Sequence, residues 1–509
     1  MLLLPHKNMF SKNFIQKMTI KKACLILLAG YISVVFTSCK KWENHDAVND
    51  AQLSKTLMAQ ISQDVTLSVF SSYLVKTGYD KVIASSKTFT VWAPDNTAMQ
   101  AVDPSILNDS TRLKQFVGNH IANQSYATTE PLGSMRVKIL NGKNVTFTRT
   151  SFEEANITRA NQYVGNGILH VIDKAILPKL SIWEFLNSNL NTAGIKQKNY
   201  IQALNYSYTD TSKATQTGVD PVTGKPVLKA GTGVISANTY LNTVLDISNE
   251  NQQYTYIILA DAAYDNERNK VVRFFNTTGN YGTTGLDSTT YLSGFNVVKD
   301  LAINKLLLPA QIMANDVLTS VNNVNVPFNK SNVLQTYVAS NGIVYVMSSV
   351  NFRLQDKITP IYIQGENPVS FSRTDKNANI QYRIRKDPSG NTFNDILIAG
   401  SGAGSLPAQF FAQYAAKNLY SAQYKVYWRA INDTGVAFSQ QLSFNTSIAA
   451  TFPYQVVGPN VFGDVLLSNT NYTVTKYGTQ NMYMLGNTNT TNGTNSITFD
   501  YVKLDPVLQ

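Results

Sequence analysis

The sequence is poor in the residues from which most enzyme sites are built: its 509 residues include two cysteines, four histidines and 32 acidic side chains. Cys24 lies inside an apolar run and Cys39 directly after it, so the chain beyond residue 39 contains no thiol. That excludes a disulfide, a thiolate zinc site and a cysteine nucleophile from the folded body. His120 and His170 lie fifty residues apart with no HxxxH or HExxH spacing around either, so a histidine metal site and imidazole catalysis are not expected, and no cofactor is implied. Glycoside hydrolysis needs two carboxylates across a cleft; Asp500, Asp505 and the Glu153-Glu154 pair form no recognisable set. Lys7, Lys12, Lys17, Lys21 and Lys22 all precede residue 39, where no acid occurs, so much of the formal +11 belongs to that leader. The rest has 38 basic against 32 acidic residues and no basic cluster, which argues against a nucleic-acid partner. The 43% hydrophobic content excludes disorder, and the length predicts three or four units with cores of their own.

Met18 to Lys22 is basic, Ala23 to Phe36 is almost uninterrupted apolar residues, and Thr37-Ser38-Cys39 follows. This is the layout of a secretory signal peptide, and the run is shorter than the ~20 residues of a membrane-spanning helix. Small residues before a cysteine resemble the lipobox of bacterial lipoproteins, with Phe36 where leucine is usual. The resemblance implies removal of residues 1–38, lipidation of Cys39 and a membrane anchor through that lipid. Lys40-Lys41 after the cysteine, in place of aspartate, implies the outer membrane. Residues 39–50 read as a polar tether.

From residue 51 the periodicity becomes that of folded elements. Leu53, Leu57, Ile61, Phe70 and Leu74 recur at helical spacing and predict one helix over 51–76, ended by Gly78. Thr88 to Trp92 predicts a strand, and Asp95-Asn96, Asp103-Pro104 and Asp109-Ser110 each predict a helix start. Val137–Leu140 and Lys143–Phe147 flank Asn141-Gly142, a tight hairpin signal because both central residues take positive φ readily. Ile168–Ile172 predicts a final strand. Three ordered segments of this α+β unit carry a family resemblance: Thr88–Met99, Phe116–Ile121 and Asn166–Pro178 are similar to the successive signatures of fasciclin domains, with Asn119 in place of the usual tyrosine. The resemblance covers residues 51–179 and links His120 and His170 to signature positions; both sit among apolar residues of the right period and read as core or helix-face side chains.

The order repeats in weaker form. Tyr254–Tyr264 aligns without gaps to Phe89–Met99, Val298–Lys305 stands where the central segment belongs with lysine in place of histidine, and Ser340–Val346 mirrors the last signature. Residues 180–358 thus resemble a second, degenerate fasciclin module. Within it Gly224-Lys225 invites a phosphate-loop reading, but Val219 and Pro226 occupy positions that require Gly and Ser or Thr, so a solvent-facing turn is expected.

From Thr359-Pro360 the texture changes to short alternating segments separated by Asn, Thr, Gly and Ser, which predicts an all-β antiparallel sandwich over 359–509. Its closing Phe499–Val507 resembles the last strand of jelly-roll carbohydrate-binding modules. Gly400–Ser405 follows the apolar Ile396–Ala399 as in a dinucleotide site, but the third glycine position is Ser405 and no acidic residue ends a strand beyond it, so a connector is expected. Tyr424, Tyr427 and Trp428 suggest an aromatic platform, with Arg429 and Asp433 as polar partners. Alternation puts Tyr427 and Trp428 on opposite faces, so one of them belongs to the core.

The expectation is a non-catalytic lipoprotein exposed on the cell surface, which adheres to protein or matrix, or binds a ligand, through its fasciclin modules and distal sandwich, with Trp428, Arg429 and Asp433 as the ligand-binding residues. The alternatives are a glycan-capture accessory of an outer-membrane polysaccharide-uptake system, in complex with its transporter, and a polysaccharide hydrolase.

Overall fold

The computed structural model describes residues 53–85, 87–280, 286–400, 405–491 and 493–509. The segment expected to be a signal peptide, the expected tether with Cys39 and residues 401–404 of the glycine-rich connector lie outside them. No helix among the described residues is long and apolar enough to cross a membrane. Two compact units divide at Pro178/Lys179.

The first unit is built on strand Phe89–Pro94, which pairs in parallel with Gly167–Ile172 and antiparallel with Ile121–Ala122 at the end of a seven-stranded sheet. Both six-residue strands are buried at every position, which is why they read as continuous apolar runs. One face carries Val91 against Leu57, Ile61, Phe70, Leu74, Leu113 and Phe116 of the helices. The other carries Trp92, stacked on Phe152 at 4.6 Å between centroids, with Phe147 and Val137 of the antiparallel strands around it. Asp95, Asp103 and Asp109 cap helices Asn96–Gln100, Pro104–Asn108 and Ser110–Gly118.

Two local expectations are corrected. The stripe over 51–76 is two helices, Leu57–Gln63 and Ser68–Thr77, because the Asp64 carboxylate accepts from the backbone and hydroxyl of Thr66 and breaks the ladder between them. The hairpin at Asn141-Gly142 has a longer loop, with Ile139 N–H donating to Lys143 O, and only Gly142 takes positive φ. Asn141 instead turns its amide inward to Gln115 O and Asn119 Oδ1.

In the second unit strand Tyr254–Leu259 pairs in parallel with Gly342–Met347 in the register of the first unit: Tyr254 faces Gly342 as Phe89 faces Gly167. The hydrogen-bond nodes repeat with the ladder. Thr90 Oγ1 donates to Gln124 O and accepts from Tyr126 N, while Thr255 Oγ1 donates to Lys305 O and accepts from Leu307 N. Asn166 Oδ1 accepts from Leu57 N at the first helix, and Asn341 Oδ1 from Ile182 N at 2.8 Å in both cases. A Cβ on Gly167 would meet Phe89 O at 1.9 Å, and one on Gly342 would meet Tyr254 O at 2.1 Å, so only glycine fits either place. This register also corrects the alignment of the central segment. The carbonyl of His120 receives Trp92 N–H and that of Leu301 receives Ile257 N–H, so leucine, not lysine, stands in the histidine's place.

A two-stranded ribbon, Asn205–Thr209 with Val234–Asn238 and Gln216–Val219 with Pro226–Leu228, projects from this module, and Asp220–Lys225 is the turn at its tip. The sandwich follows. One five-stranded sheet runs Ile361–Gln364, Tyr501–Pro506, Gln423–Arg429 and Val465–Leu466, with Tyr472–Thr473 also on the third strand; the other runs Ser370–Phe371, Phe411–Leu419, Gly478–Gly486, Phe438–Phe444 and Gln455–Val457. The strands of both sheets pair antiparallel, and Val426, Trp428, Val502 and Leu504 of one sheet share a core with Tyr414, Leu442, Met482 and Met484 of the other. A three-stranded sheet of Ile380–Lys386, Thr392–Ile398 and Ile497–Phe499 extends this unit. After the glycine-rich connector the described chain enters strand Phe411–Leu419 without a helix, so the element a dinucleotide site requires is missing there. The module and sandwich are joined by Phe274 and Phe275 packing on Tyr420, and by Ser421, whose N–H donates to Phe274 O.

Candidate functional site

Side chains alternate across a strand, so the sheet that sends Val426 and Trp428 into the sandwich sends Tyr427 and Arg429 the other way. The register aligns Tyr362, Lys503, Tyr427 and Leu466 in one row across four strands, and Gln364, Tyr501 and Arg429 in the next. Three tyrosines therefore share the outward face. Tyr362 is 49% exposed, and its ring stands edge-on to Tyr501 at 5.1 Å between centroids. Lys503 Nζ lies 5.2 Å from the centre of the Tyr427 ring and 3.5 Å from Asp464 Oδ2. Tyr501 Oη donates to Asp464 Oδ1 at 2.7 Å. Burial alone would lower the Lys503 amine, but the surrounding Tyr362, Asp464 and Asp505 outweigh it and hold the pKa above the ordinary lysine value. Burial, helped by the bond to Asp464, pushes the Tyr501 phenol up. A groove of about 280 Å³ lined by Tyr362, Gln364, Asn367, Val369 and Lys417 continues from this face.

The expected ligand-binding trio does not converge. Trp428 is 2% exposed in the core, so its indole has no free face to stack on a ligand, and the platform role expected of it is withdrawn. Arg429 is spent inside the fold: it pairs with Asp500, donates through Nε to Phe462 O at 2.9 Å and lies over the Phe393 ring. Burial raises the Asp500 carboxyl and Arg429 draws it back only in part. Asp433 pairs instead with Arg383 at 2.9 Å and Arg385 at 3.1 Å, which also hold the fully buried Asp395. These charges neutralise one another and leave neither Arg429 nor Asp433 free to receive a ligand. Tyr362 and Tyr501 were not singled out in the sequence. The alternation of Ile361–Gln364 and Phe499–Leu504 carried the signal, but it did not reveal that the first and last strands of the sandwich are neighbours.

The two histidines are structural. His120 is fully buried, with Nδ1 on Phe116 O and Nε2 receiving Ile176 N–H, and burial lowers its pKa to about 4. His170 Nε2 meets Tyr126 O at 2.9 Å; at the same place in the second module Tyr345 Oη donates to Leu307 O at 2.7 Å. A phenol that makes the imidazole's bond, and a leucine in place of the other imidazole, mark both as packing positions. Among the described residues no cluster of three or more His, Cys, Asp or Glu is placed to hold a metal.

A fasciclin-domain profile matches residues 65–178. No curated protein matches the chain in sequence. Among solved structures, the domain pair of the insect cell adhesion molecule Fasciclin I is 13% identical, covers 58% of this chain and 99% of its own, and has a TM-score of 0.22. A family 6 carbohydrate-binding module from Clostridium stercorarium, solved with cellobiose, is 16% identical over 29% of this chain and 93% of its own, with a TM-score of 0.19. A family 35 module from Clostridium thermocellum is 10% identical over 30% of this chain and 100% of its own, with a TM-score of 0.21. Likenesses at these scores assign no ligand and no role. Residues 65–178 are a fasciclin domain, in an α+β region that is followed by an antiparallel β-sandwich.

Proposed function

We propose that this is a non-catalytic binding protein of a bacterial outer membrane, anchored by lipid on Cys39, whose sandwich captures a glycan on the face of Tyr362, Tyr427 and Tyr501. The observation that carries the reading is the shared outward face of those three rings. Sugar rings present apolar CH faces that stack on phenols, while Gln364, Asn367 and Lys417 of the adjoining groove supply polar groups for hydroxyls. The Tyr501–Asp464 bond and the Lys503–Tyr427 contact hold the face in one arrangement before a ligand arrives, which reduces the ordering cost of binding. Two of the acids weighed for hydrolysis are engaged elsewhere: Asp500 is paired with Arg429, and Glu153 accepts Thr146 N–H. The packed joint between module and sandwich suits a binding domain presented to a transporter complex.

Titration of the chain from residue 45 onward against plant, host and microbial polysaccharides tests this reading. Saturable binding lost in the Tyr362→Ala/Tyr427→Ala double variant supports it. Binding unchanged in that variant would move the activity elsewhere and favour adhesion to protein or matrix through the fasciclin domain.

A further inference from the structure

The second module holds an ion pair in its core that the glycan reading does not use. Lys357, at the end of the module, reaches Asp300, which stands two residues before the strand Ala302–Ile303; the two side chains are 2% and 0% exposed. Burying two charges together is expensive, and a neutral product of the same atoms removes that cost. The first module shows what such a product would look like. Register places Asn119 where Asp300 stands, and Asn119 is an amide: its Oδ1 accepts from Asn141 Nδ2 at 3.0 Å while its Nδ2 donates to Ile176 O. In the second module Asp300 Oδ1 accepts from Asn322 Nδ2, also at 3.0 Å, and the Lys357 amine occupies the side where the Asn119 nitrogen lies.

We propose that Lys357 and Asp300 condense to an intramolecular isopeptide bond, Nζ to Cγ, with release of one water. The step balances without any oxidant or co-reactant. The ammonium of Lys357 passes one proton to the Asp300 carboxylate, and the freed electron pair of Nζ attacks Cγ. The charge that develops on Oδ1 is met by Asn322 Nδ2 and by Ser320 Oγ, 3.4 Å away, in the manner of an oxyanion hole. Oδ2 leaves as water with a second proton from the nitrogen, and the amide keeps one hydrogen. Burial favours the neutral amine, lowering Lys357 to about 8 even though Asp300 pulls the other way. The Phe352 ring, 4.5 Å from Nζ, closes the site on one side. A dry site retains the amide because water lost to solvent does not return. The bond would tie the central segment of the module to the chain just before the sandwich, closing a loop in the load path between anchor and binding tip.

Intact mass spectrometry of the purified chain from residue 45 onward, denatured before injection, is the test. The expected result is a mass lower than the sequence mass by one water, with a branched proteolytic peptide joining the segments of Asp300 and Lys357. The full sequence mass, with both peptides recovered linear, would overturn the proposal. The Lys357→Met variant must regain the water; a water loss that persists in it lies elsewhere and also overturns the assignment. The first measurement uses the unaltered protein, so it stands whether or not the variant folds.

Discussion

Tyr362 and Tyr501 meet edge to face on the outside of the sandwich, 5.1 Å apart, because the first and last strands of that domain are paired with Gln364 opposite Tyr501. The same pairing sets Tyr427 outward one strand further on and Trp428 inward behind it. An outward-facing ring and a core ring are thereby neighbours on a single strand.

Substitutions at 427 and 428 should therefore differ in kind. Trp428→Ala empties a fully packed core position and should cost about 3–5 kcal/mol, seen as a lower unfolding midpoint. Tyr427→Ala removes an outward ring and should leave the midpoint nearly unchanged while weakening glycan binding. Equal loss of stability in both variants would contradict the assignment of faces.

The glycines that begin the two final strands make a paired prediction. Gly167→Ala and Gly342→Ala each place a methyl against a carbonyl oxygen at a φ near 150°, so each should destabilise its own unit by more than about 1 kcal/mol. Hydrogen exchange of the Val91 and Tyr256 amides would locate each effect; a shift in the wrong unit would refute the equivalence of the two ladders.

Acid should weaken the first unit through His120. The folded state keeps this imidazole neutral down to about pH 4, whereas the unfolded chain protonates it below 6.5. Its contribution is complete above pH 6.5 and is lost as pH falls through 4, about 3 kcal/mol in total. Burial lowers His170 too, with the same sign. His120→Leu, the residue found at the equivalent place in the second module, should flatten this dependence in exchange measurements on the first unit. An unchanged slope would contradict it.

Asp395 should matter more than its partners. It is fully buried between Arg383 and Arg385, so Asp395→Ala leaves two guanidinium groups short of a counter-charge and should cost about 3–5 kcal/mol. Asp433→Ala, 40% exposed, should cost less than about 1 kcal/mol. Urea denaturation of both variants checks the ranking.

Local chemistry was legible in the sequence where it is decided locally. Asp95, Asp103 and Asp109 announce their helices because a cap is made within three residues. The repeat was legible because Thr90 with Thr255, and Asn166 with Asn341, perform identical bonds. What stayed hidden depends on pairing between distant strands. Alternation separates Tyr427 from Trp428 but does not say which faces inward, and the network that absorbs Arg429 and Asp433 draws on Arg383, Asp395 and Asp500 from three other segments. Leu301 was obscured because the degenerate central segment keeps the shape of the strand and loses its histidine.

The measurement closest to the central claim is calorimetric titration of the chain from residue 45 onward with a binding polysaccharide, repeated on Tyr427→Ala and on the Tyr362→Ala/Tyr427→Ala pair. Loss of about 1–3 kcal/mol of binding free energy at each ring removed, with unfolding midpoints unchanged, is the predicted result. Full affinity in the double variant would contradict a glycan site on this face.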